Sequence, residues 1–211
     1  MCRKIQRAGA DAIELNVSLL PFDEKKTAEE NEALYFEVIK KVKENLSIPI
    51  SLKISHYSSS LSKLIKLLSW TGDVQSLVLF NRFYSPDINI KTNEVTVNNI
   101  FSSPDEYTLP LRWIALLSKS VECDLCASTG VHNADSVIKM LLAGASAVQM
   151  VSSFYVNGLD HIKKVNDDIL LWMQANNYDT ISDFKGKITK DTENHKLFVR
   201  SQFMKYYSSF E

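Results

Sequence analysis

The stretch CDLCASTGVHNADSVIKMLLAGASAVQMVSS, residues 123–153, decides the fold class. It opens with an apolar run at residues 123–127, turns through small residues and continues as a helical pattern at residues 134–142. Gly144 follows that pattern, where a positive φ ends a helix at little cost, and a second apolar run occupies residues 147–151. A short strand, a helix and another short strand form the repeating unit of a parallel sheet with crossover helices.

The same alternation precedes this stretch. Three further strands are predicted at residues 12–17, 50–54 and 76–80. The other helices are predicted at residues 27–45, 61–69, 109–120 and, after the last strand, 160–174. Before the first strand, residues 7–11 (RAGAD) repeat the glycine joint of residues 142–146 (LAGAS), as expected for β/α units in series.

Five strands are fewer than a closed barrel needs. A (β/α)8 barrel typically takes about 250 residues, whereas this chain has 211 and opens inside a helical pattern at residues 1–8 with no strand before it. We therefore expect a single domain, residues 1–211, that forms the last five units of a (β/α)8 TIM barrel and lacks the first strands. The open sheet edges of such a piece favour association into a homo-oligomer. A complete small α/β fold is the alternative.

Two segments depart from the regular order. Residues 88–97 alternate apolar and polar around Thr92 and Asn93, which predicts a β-hairpin within an insertion at about residues 86–100. In β/α-barrels such an excursion lies at the mouth that carries the active site, and it commonly covers ligands there. An irregular C-terminal tail is predicted at about residues 177–211.

Composition narrows the range of partners. The chain has 24 basic and 25 acidic residues and a formal net charge of −1, so no broad field favours nucleic acid or an anionic membrane. A small molecule is the expected partner. The longest apolar runs are far shorter than the roughly 20 residues that span a bilayer, and no secretory signal begins the chain, which predicts a cytoplasmic protein.

The cysteines and histidines point away from redox and metal chemistry. Cys123 and Cys126 form a C-x-x-C pair, but they lie in a predicted strand rather than at a helix N-terminus, where a thiolate would be stabilised. We expect ordinary strand cysteines. The four histidines, His56, His132, His161 and His195, lack the spacing of metal ligands, so no metal site is predicted.

The turn after the fourth predicted strand is a candidate phosphate site. Ser128 leads into Thr129, Gly130 and Val131, whose small size lets backbone N–H groups approach phosphate oxygens, and the following helix adds a favourable dipole. The next strand ends in Val151, Ser152 and Ser153, which supply further amides and two hydroxyls. Phosphate sites of barrels are frequently built from the loops after the last two strands. A plain turn capped by Asn133 is the alternative.

Three polar residues stand on or at the end of earlier strands. Lys53 lies among apolar neighbours in SLKIS, residues 51–55, and a buried lysine needs a partner or a function. A surface edge position is the alternative. Asn16 and Asn81 end the first and third strands, where their carboxamides can bind a flat heterocyclic amide or make local turn contacts.

These motifs resemble a known enzyme family. Residues 13–18 (IELNVS), 51–54 (SLKI), 128–131 (STGV) and 144–153 (GASAVQMVSS) resemble the motifs of dihydroorotate dehydrogenases. Residues 77–84 (LVLFNRFY) and 109–117 (LPLRWIALL) are most similar to the subgroup of dihydroorotate dehydrogenase-like proteins. The resemblance extends over essentially the whole chain.

The resemblance implies an FMN-dependent barrel that moves a hydride from dihydroorotate, or a related dihydropyrimidine, to the flavin in pyrimidine biosynthesis. Lys53 would contact the isoalloxazine ring, and Asn16 and Asn81 would address the flavin or the substrate. The amides of Thr129, Gly130, Val131, Val151, Ser152 and Ser153 would hold the FMN phosphate. The flavin would accept the hydride, while the protein would position and polarise the reacting groups.

One departure concerns the catalytic base. Family enzymes carry Cys or Ser in the loop after the strand that ends at Asn16, whereas this chain has Leu19 there, which cannot take a proton. Ser18, His56 and Tyr57 are the candidate replacements for that base. A non-catalytic flavin- or phosphate-binding barrel that has lost the base is therefore an alternative function. A third hypothesis is an isomerase or aldolase that uses Lys53 as a Schiff-base nucleophile.

Overall fold

A computed structural model describes residues 1–97 and 100–200 of the chain. Within these ranges the strands are β1 (Ile13–Asn16), β2 (Ile50–Ile54), β3 (Ser76–Leu79), β4 (Pro86–Asn89), β5 (Glu94–Val97), β6 (Asp124–Ala127) and β7 (Ala147–Val148). The α-helices are α1 (Cys2–Arg7), α2 (Ala28–Lys43), α3 (Leu61–Trp70), α4 (Thr108–Leu117), α5 (Ala134–Ala143), α6 (Ser152–Asn157), α7 (His161–Ala175) and α8 (Thr192–Val199). Short 3₁₀ helices lie at Pro104–Tyr107, Ile181–Asp183 and Ile188–Lys190.

Five strands form one parallel sheet in the spatial order β1-β2-β3-β6-β7, and β4 pairs with β5 as a separate antiparallel hairpin. Asn16 lies opposite Lys53, Lys53 opposite Val78, and Val78 opposite Cys126. The carboxyl ends of four strands therefore meet at one edge of the sheet. The predicted α/β class, with parallel strands placed in chain order, is confirmed.

The two faces of strand β2 differ in burial. On β2 the residues Ile50, Leu52 and Ile54 are fully buried, because they belong to the apolar core that also includes the inner faces of the helices. Ser51 and Lys53 point to the opposite face and are only half-buried. Strand β2 is therefore fully buried on one face only, whereas Leu77, Val78 and Leu79 of β3 are buried on both faces.

Several helix ends follow the local sequence. Thr27 and Glu30 form a capping box at α2, in which Thr27 Oγ1 accepts from the Glu30 amide at 3.2 Å and the Glu30 carboxylate accepts from the Thr27 amide at 2.7 Å. Asn133 caps α5, because its Oδ1 accepts from the Ser136 amide at 3.0 Å. The strand-to-helix turn before α5 is thus fixed by its own polar side chains.

The last strand is shorter than predicted. β7 covers only Ala147 and Val148, whereas the sequence pattern predicted a strand to Val151. The Gln149 amide still donates to the carbonyl of Ala127 at 2.8 Å, but β6 ends at Ala127 and offers no strand residue opposite the following positions. The chain turns into α6 instead, a helix that the sequence analysis did not predict.

The hairpin and the tail were also predicted only in part. β4 and β5 pair from Pro86 with Val97 to Asn89 with Glu94, and their residues are almost all exposed. Two positions of the predicted insertion, residues 98–99, lie outside the described residues, as do residues 201–211 of the tail. The described tail is less irregular than predicted, since Phe184 is fully buried and the Gly186 amide donates to the carbonyl of Leu141 at 2.9 Å.

None of the helices in residues 1–97 and 100–200 has both the length and the apolar character needed to cross a membrane.

The joint between α5 and β7 yields a stability prediction. Gly144 has a φ of +111°, and a Cβ at this position would lie 2.5 Å from Ser118 Cβ. We expect Gly144→Ala to lower the free energy of unfolding by about 2 to 4 kcal/mol, because the left-handed backbone and the overpacking both cost energy. Urea unfolding followed by circular dichroism measures the change.

Gly72→Ala is the matched control. Gly72 also has a positive φ, +72°, but no atom of the described residues lies within 4 Å of its Cβ position, so only the backbone cost of about 1 kcal/mol applies. Equal losses in the two variants would show that the contact with Ser118 carries no weight.

Candidate functional site

One cavity of about 210 Å³ lies at the carboxyl edge of the parallel sheet. Eight residues predicted from the sequence line it, namely Asn16, Lys53, Asn81, Thr129, Gly130, Val131, Val151 and Ser152. Ser128 of the predicted turn also lines it, together with Arg82, Ser102 and Gln149, which the sequence analysis did not single out. Residues from the ends of all five parallel strands and from the loops that follow them, separated by up to 136 positions along the chain, therefore share one site.

Lys53 is held by two hydrogen bonds inside this site. Its Nζ donates to Ser128 Oγ at 2.9 Å and to Gln149 Oε1 at 2.9 Å. Gln149 Nε2 in turn donates to Glu14 Oε2 at 2.7 Å, so the network joins β2, the turn after β6, the end of β7 and β1. Burial lowers the pKa of Lys53, while the nearby Glu14 carboxylate and Cys126 oppose that shift. The ammonium is thus a fixed donor that can polarise an electron-rich atom in the cavity.

The turn after β6 presents free backbone donors. Thr129 and Gly130 both have positive φ, +82° and +75°, and Thr129 Oγ1 donates to the carbonyl of Phe80 at 3.2 Å. Among the described residues none accepts a hydrogen bond from the amides of Thr129, Gly130 or Val131. The His132 amide, by contrast, is taken by Ser136 Oγ at 3.2 Å. Three consecutive N–H groups therefore remain available to a ligand.

The start of α6 supplies a second set of donors. Within the described chain the amides of Ser152 and Ser153 have no acceptor, and the Ser153 hydroxyl is fully buried without a partner. Ser152 Oγ accepts from the Ser102 amide at 3.0 Å. Ser152 lines the cavity, whereas Ser153 does not. Hydroxyls and amides without protein acceptors suit the oxygen atoms of a phosphate group.

Asn81 and Asn16 differ in how firmly they are placed. Asn81 is buried, and its Nδ2 donates to the carbonyl of Val17 at 2.9 Å, which ties the end of β3 to the end of β1. Asn16 is exposed at the end of β1 and lines the same cavity. Asn81 therefore keeps its carbonyl oxygen and one N–H available for a ligand.

None of the three candidate bases, Ser18, His56 and Tyr57, lines the cavity of about 210 Å³. Ser18 is exposed, and Leu19 packs half-buried against the apolar core, and neither lines the cavity. His56 and Tyr57 line a neighbouring cavity of about 260 Å³. His56 Nδ1 is buried there without a partner among the described residues, and burial lowers the pKa of its imidazole. Within the described chain, the lining of the cavity of about 210 Å³ contains no carboxylate, imidazole or thiol.

A segment that follows the hairpin covers the site, and we name residues 100–107 the cover segment. Arg82 Nε donates to Glu106 Oε2 at 2.8 Å, and its other nitrogens donate to the carbonyls of Ile100 and Phe101 at 3.0 and 3.1 Å. A Cβ on Gly130 would lie 2.1 Å from the Tyr107 amide nitrogen, so the cover segment packs directly on the turn after β6. Neither hairpin strand lines the cavity; the predicted covering role falls to the residues after it.

The remaining chemistry-bearing residues do not form a second centre in the described chain. Burial raises the pKa of the Cys123 and Cys126 thiols to about 11, so neither is poised as a thiolate. In the two described ranges no three His, Cys, Asp or Glu side chains are placed to bind a metal ion together.

Comparisons with known proteins agree with the motifs. A family model described as Dihydroorotate dehydrogenase matches residues 1–173. The catalytic subunit of dihydroorotate dehydrogenase B (NAD(+)) from Thermoplasma acidophilum is 24% identical over 190 residues, which cover 87% of this chain and 62% of that protein. The catalytic subunit of the same name from Methanocaldococcus jannaschii is 27% identical over 182 residues, covering 84% of this chain and 58% of that protein.

The chain is shorter than the curated proteins it matches. A third similar protein, the dihydroorotate dehydrogenase B (NAD(+)) catalytic subunit of Pyrococcus furiosus, is 24% identical over 196 residues, covering 90% of this chain and 64% of that protein. In these three comparisons the chain spans 58 to 64% of the relative's length.

The environment of Lys53 predicts a pH dependence of stability. A lysine whose pKa is lower in the folded than in the unfolded state destabilises the fold when it is charged. The stability is therefore greatest above the unfolded pKa of about 10.4, and it falls as the pH drops through the folded pKa. We expect Lys53→Met to flatten this rise of the unfolding free energy in the pH range just below about 10.4. Urea unfolding at a series of pH values measures the slope.

Lys63→Met, at an exposed position of α3, is the control and should keep the wild-type slope. Identical slopes in the wild type and both variants would mean that burial of Lys53 carries no free-energy cost.

Proposed function

Because the chain belongs to the dihydroorotate dehydrogenase family, we propose that its protein is an FMN-dependent oxidoreductase acting on dihydroorotate or a related dihydropyrimidine in pyrimidine metabolism. One observation carries the proposal: a lysine donor and two sets of free backbone amides line the same cavity at the carboxyl edge of a parallel sheet. FMN combines a flat electron-accepting ring with a phosphate, and these are the two chemistries that such a site serves.

The phosphate group of FMN fits the turn after β6 and the start of α6. The amides of Thr129, Gly130 and Val131, together with those of Ser152 and Ser153, have no acceptor within the described residues. Buried or half-buried amides without acceptors are costly, and a bound phosphate removes that cost. We propose that these groups, with Val151 beside them, hold the FMN phosphate.

The position of Lys53 suits a contact with the isoalloxazine ring of FMN. Its ammonium is held by Ser128 and Gln149, so it meets a ligand without first losing rotamer freedom. We propose that Lys53 contacts the isoalloxazine ring and stabilises negative charge that develops on it. When bound, FMN supplies the hydride acceptor.

Asn16 and Asn81 are proposed to orient the substrate. Both line the cavity, and Asn81 is fixed by its bond to the Val17 carbonyl. A carboxamide donates and accepts at once, which matches the alternating N–H and C=O groups of a dihydropyrimidine ring. Ser18 remains the weakest assignment, since it is exposed and does not line the cavity.

We also propose that the sheet is the later part of a (β/α)8 barrel and that residues 1–211 belong to one domain. An open groove of about 1190 Å³ runs beside β7 and is lined mainly by apolar residues of α5 and α7, with Lys53, Gln149 and Glu14 at its base. Gln149 at the end of β7 and Glu14 on β1 are bonded at 2.7 Å although these strands form opposite edges of the sheet. Further parallel strands between these edges would fill the groove and close the barrel.

Fewer observations support the two competing functions. The non-catalytic alternative draws on Leu19, but the relatives with similar sequences are named as catalytic subunits. The Schiff-base hypothesis requires a neutral Lys53, and burial does lower its pKa. Borohydride trapping of a carbonyl substrate on Lys53 would support that hypothesis, whereas failure to trap would count against it.

The decisive experiment is the visible absorption spectrum of the full-length protein. We expect a bound flavin spectrum that bleaches when dihydroorotate is added without oxygen. Lys53→Met should slow the bleaching by about a hundredfold, the cost of losing one fixed donor to developing charge. Lys63→Met, which changes an exposed lysine of α3, should leave the rate unchanged.

The outcomes separate the parts of the proposal. A protein that stays colourless with added FMN would rule out the cofactor. A yellow protein that does not bleach with dihydroorotate would retain the cofactor and exclude that substrate.

A further inference from the structure

The cavity of about 260 Å³ that His56 and Tyr57 line is a second candidate site, and we name it the aromatic cavity. The rings of Tyr57 and Phe83 lie edge to face with their centroids 4.9 Å apart, and the His56 ring lies 4.3 Å from Tyr57. The buried ring of Phe80 lies 5.9 Å from His56. Tyr57 is nevertheless 40% exposed and Phe83 is only half-buried, so the cluster keeps aromatic surface open to a ligand.

The walls of the aromatic cavity come from the interior of the sheet. They include residues 56–57 after β2, residues 80–83 after β3, residues 108–110 at the start of α4 and residues 128–129 after β6. Strands β2, β3 and β6 are the three interior strands of the sheet, whereas the open groove lies beside the edge strand β7. The aromatic cavity is therefore complete whether or not further strands close the barrel.

The wall between the two cavities is polar. Asn81 and Ser128 line both the aromatic cavity and the cavity of about 210 Å³. Asn81 uses one N–H on the Val17 carbonyl and keeps its own carbonyl oxygen for a ligand. Ser128 Oγ accepts from Lys53 Nζ and keeps its proton. This wall can therefore both donate to and accept from a polar group on a ligand.

The charges that line the aromatic cavity are balanced. Arg82 and Glu106 are the charged side chains of its described lining, and Arg82 Nε donates to Glu106 Oε2 at 2.8 Å. Burial lowers the pKa of the His56 imidazole, which favours the neutral ring near pH 7. A charged ligand would lose its hydration here without meeting an unpaired opposite charge, so the cavity favours a neutral ligand.

The His56 imidazole has hydrogen-bonding capacity that the described residues do not use. Its ring forms no hydrogen bond with any of them, and its Nδ1 is buried. A neutral imidazole carries one N–H and one lone pair. Buried polar atoms without partners are uncommon in folded proteins because they cost stability. A polar group on a bound ring would give this imidazole a partner.

We propose that the aromatic cavity binds a neutral planar ring with one hydrogen-bonding substituent, as a subsite of the reaction in the neighbouring cavity. Its volume of about 260 Å³ lies just below the usual range of ligand pockets, about 300 to 1,000 Å³, and therefore suits a single ring. The link to the reaction rests on the proposed function, whereas the binding of the ring does not depend on it. The ring belongs either to the hydride donor or to the molecule that reoxidises the flavin.

The binding test uses benzamide, a neutral planar ring with one carboxamide, and the full-length protein. Saturation-transfer NMR should give a dissociation constant of roughly 1 to 10 mM, as expected for nine non-hydrogen atoms. Benzoate should bind at least about tenfold more weakly because its charge would lack a partner. Cyclohexanecarboxamide should also bind more weakly because it cannot stack on the rings. Absence of benzamide binding, or equal binding of the three compounds, would overturn the proposal.

Phe83→Ala tests whether benzamide occupies the aromatic cavity. The variant removes one ring of the cluster and should weaken benzamide binding by about tenfold. Tyr84→Ala is the matched control, because the neighbouring aromatic side chain is exposed and does not line the aromatic cavity. It should leave the affinity unchanged. Equal affinities of the wild type and Phe83→Ala would contradict the assignment.

The two halves of the flavin reaction show which molecule supplies the ring. If benzamide slows bleaching by dihydroorotate, the ring belongs to the hydride donor. If benzamide instead slows the return of colour as the quinone menadione takes two electrons and two protons from the reduced flavin, the ring belongs to the acceptor. If bound benzamide changes neither rate, the aromatic cavity is not a subsite of the reaction.

The wild type separates this inference from the proposed function. If it binds benzamide but no flavin, the proposed function fails and the ring-binding site stands. If it binds flavin but no benzamide, the cofactor stands and the aromatic cavity is not a binding site.

Discussion

A single ammonium group on the open face of the sheet organises the site. Lys53 stands on a strand whose other face is buried in the apolar core, so its side chain must find partners on the remaining face. Ser128 and Gln149 accept its hydrogen bonds, and Gln149 is in turn held by Glu14. Two neutral acceptors thus hold a lysine whose pKa is lowered by burial, and the network that they form joins residues of four strands and their loops.

The loops around Lys53 come together because they all leave the carboxyl edge of the parallel sheet. Parallel strands direct all their carboxyl ends to one side, so the turn after β6 and the start of α6 meet next to Lys53. Within the part of the chain that the structure describes, those two loops leave amides unpaired, whereas Asn81 uses one N–H to bind the Val17 carbonyl. The result is a site with rigid walls and free donors, arranged before any ligand binds. Such preorganisation is what a site that stabilises developing negative charge requires.

Much of this could be read from the sequence because the relevant signals are local. The order of strands and helices follows from apolar periodicity. The turn at residues 128–131 is predicted by its small residues, which precede a helix cap. Gln149 was missed although it stands alone among apolar residues in AVQMV, residues 147–151, as Lys53 does in its own strand.

Other features depend on contacts that no local pattern contains. Ser102 lies in a segment without helical or strand periodicity, and Arg82 reaches Glu106 and two carbonyls of that segment across the hairpin. The sequence predicted that an excursion would cover the mouth, but not which part of it would do so. The hairpin strands pair with each other and need no further partner, whereas the backbone after them has carbonyls to satisfy. Arg82 supplies those donors from the end of β3, and for this reason the cover segment, rather than the hairpin, rests on the site.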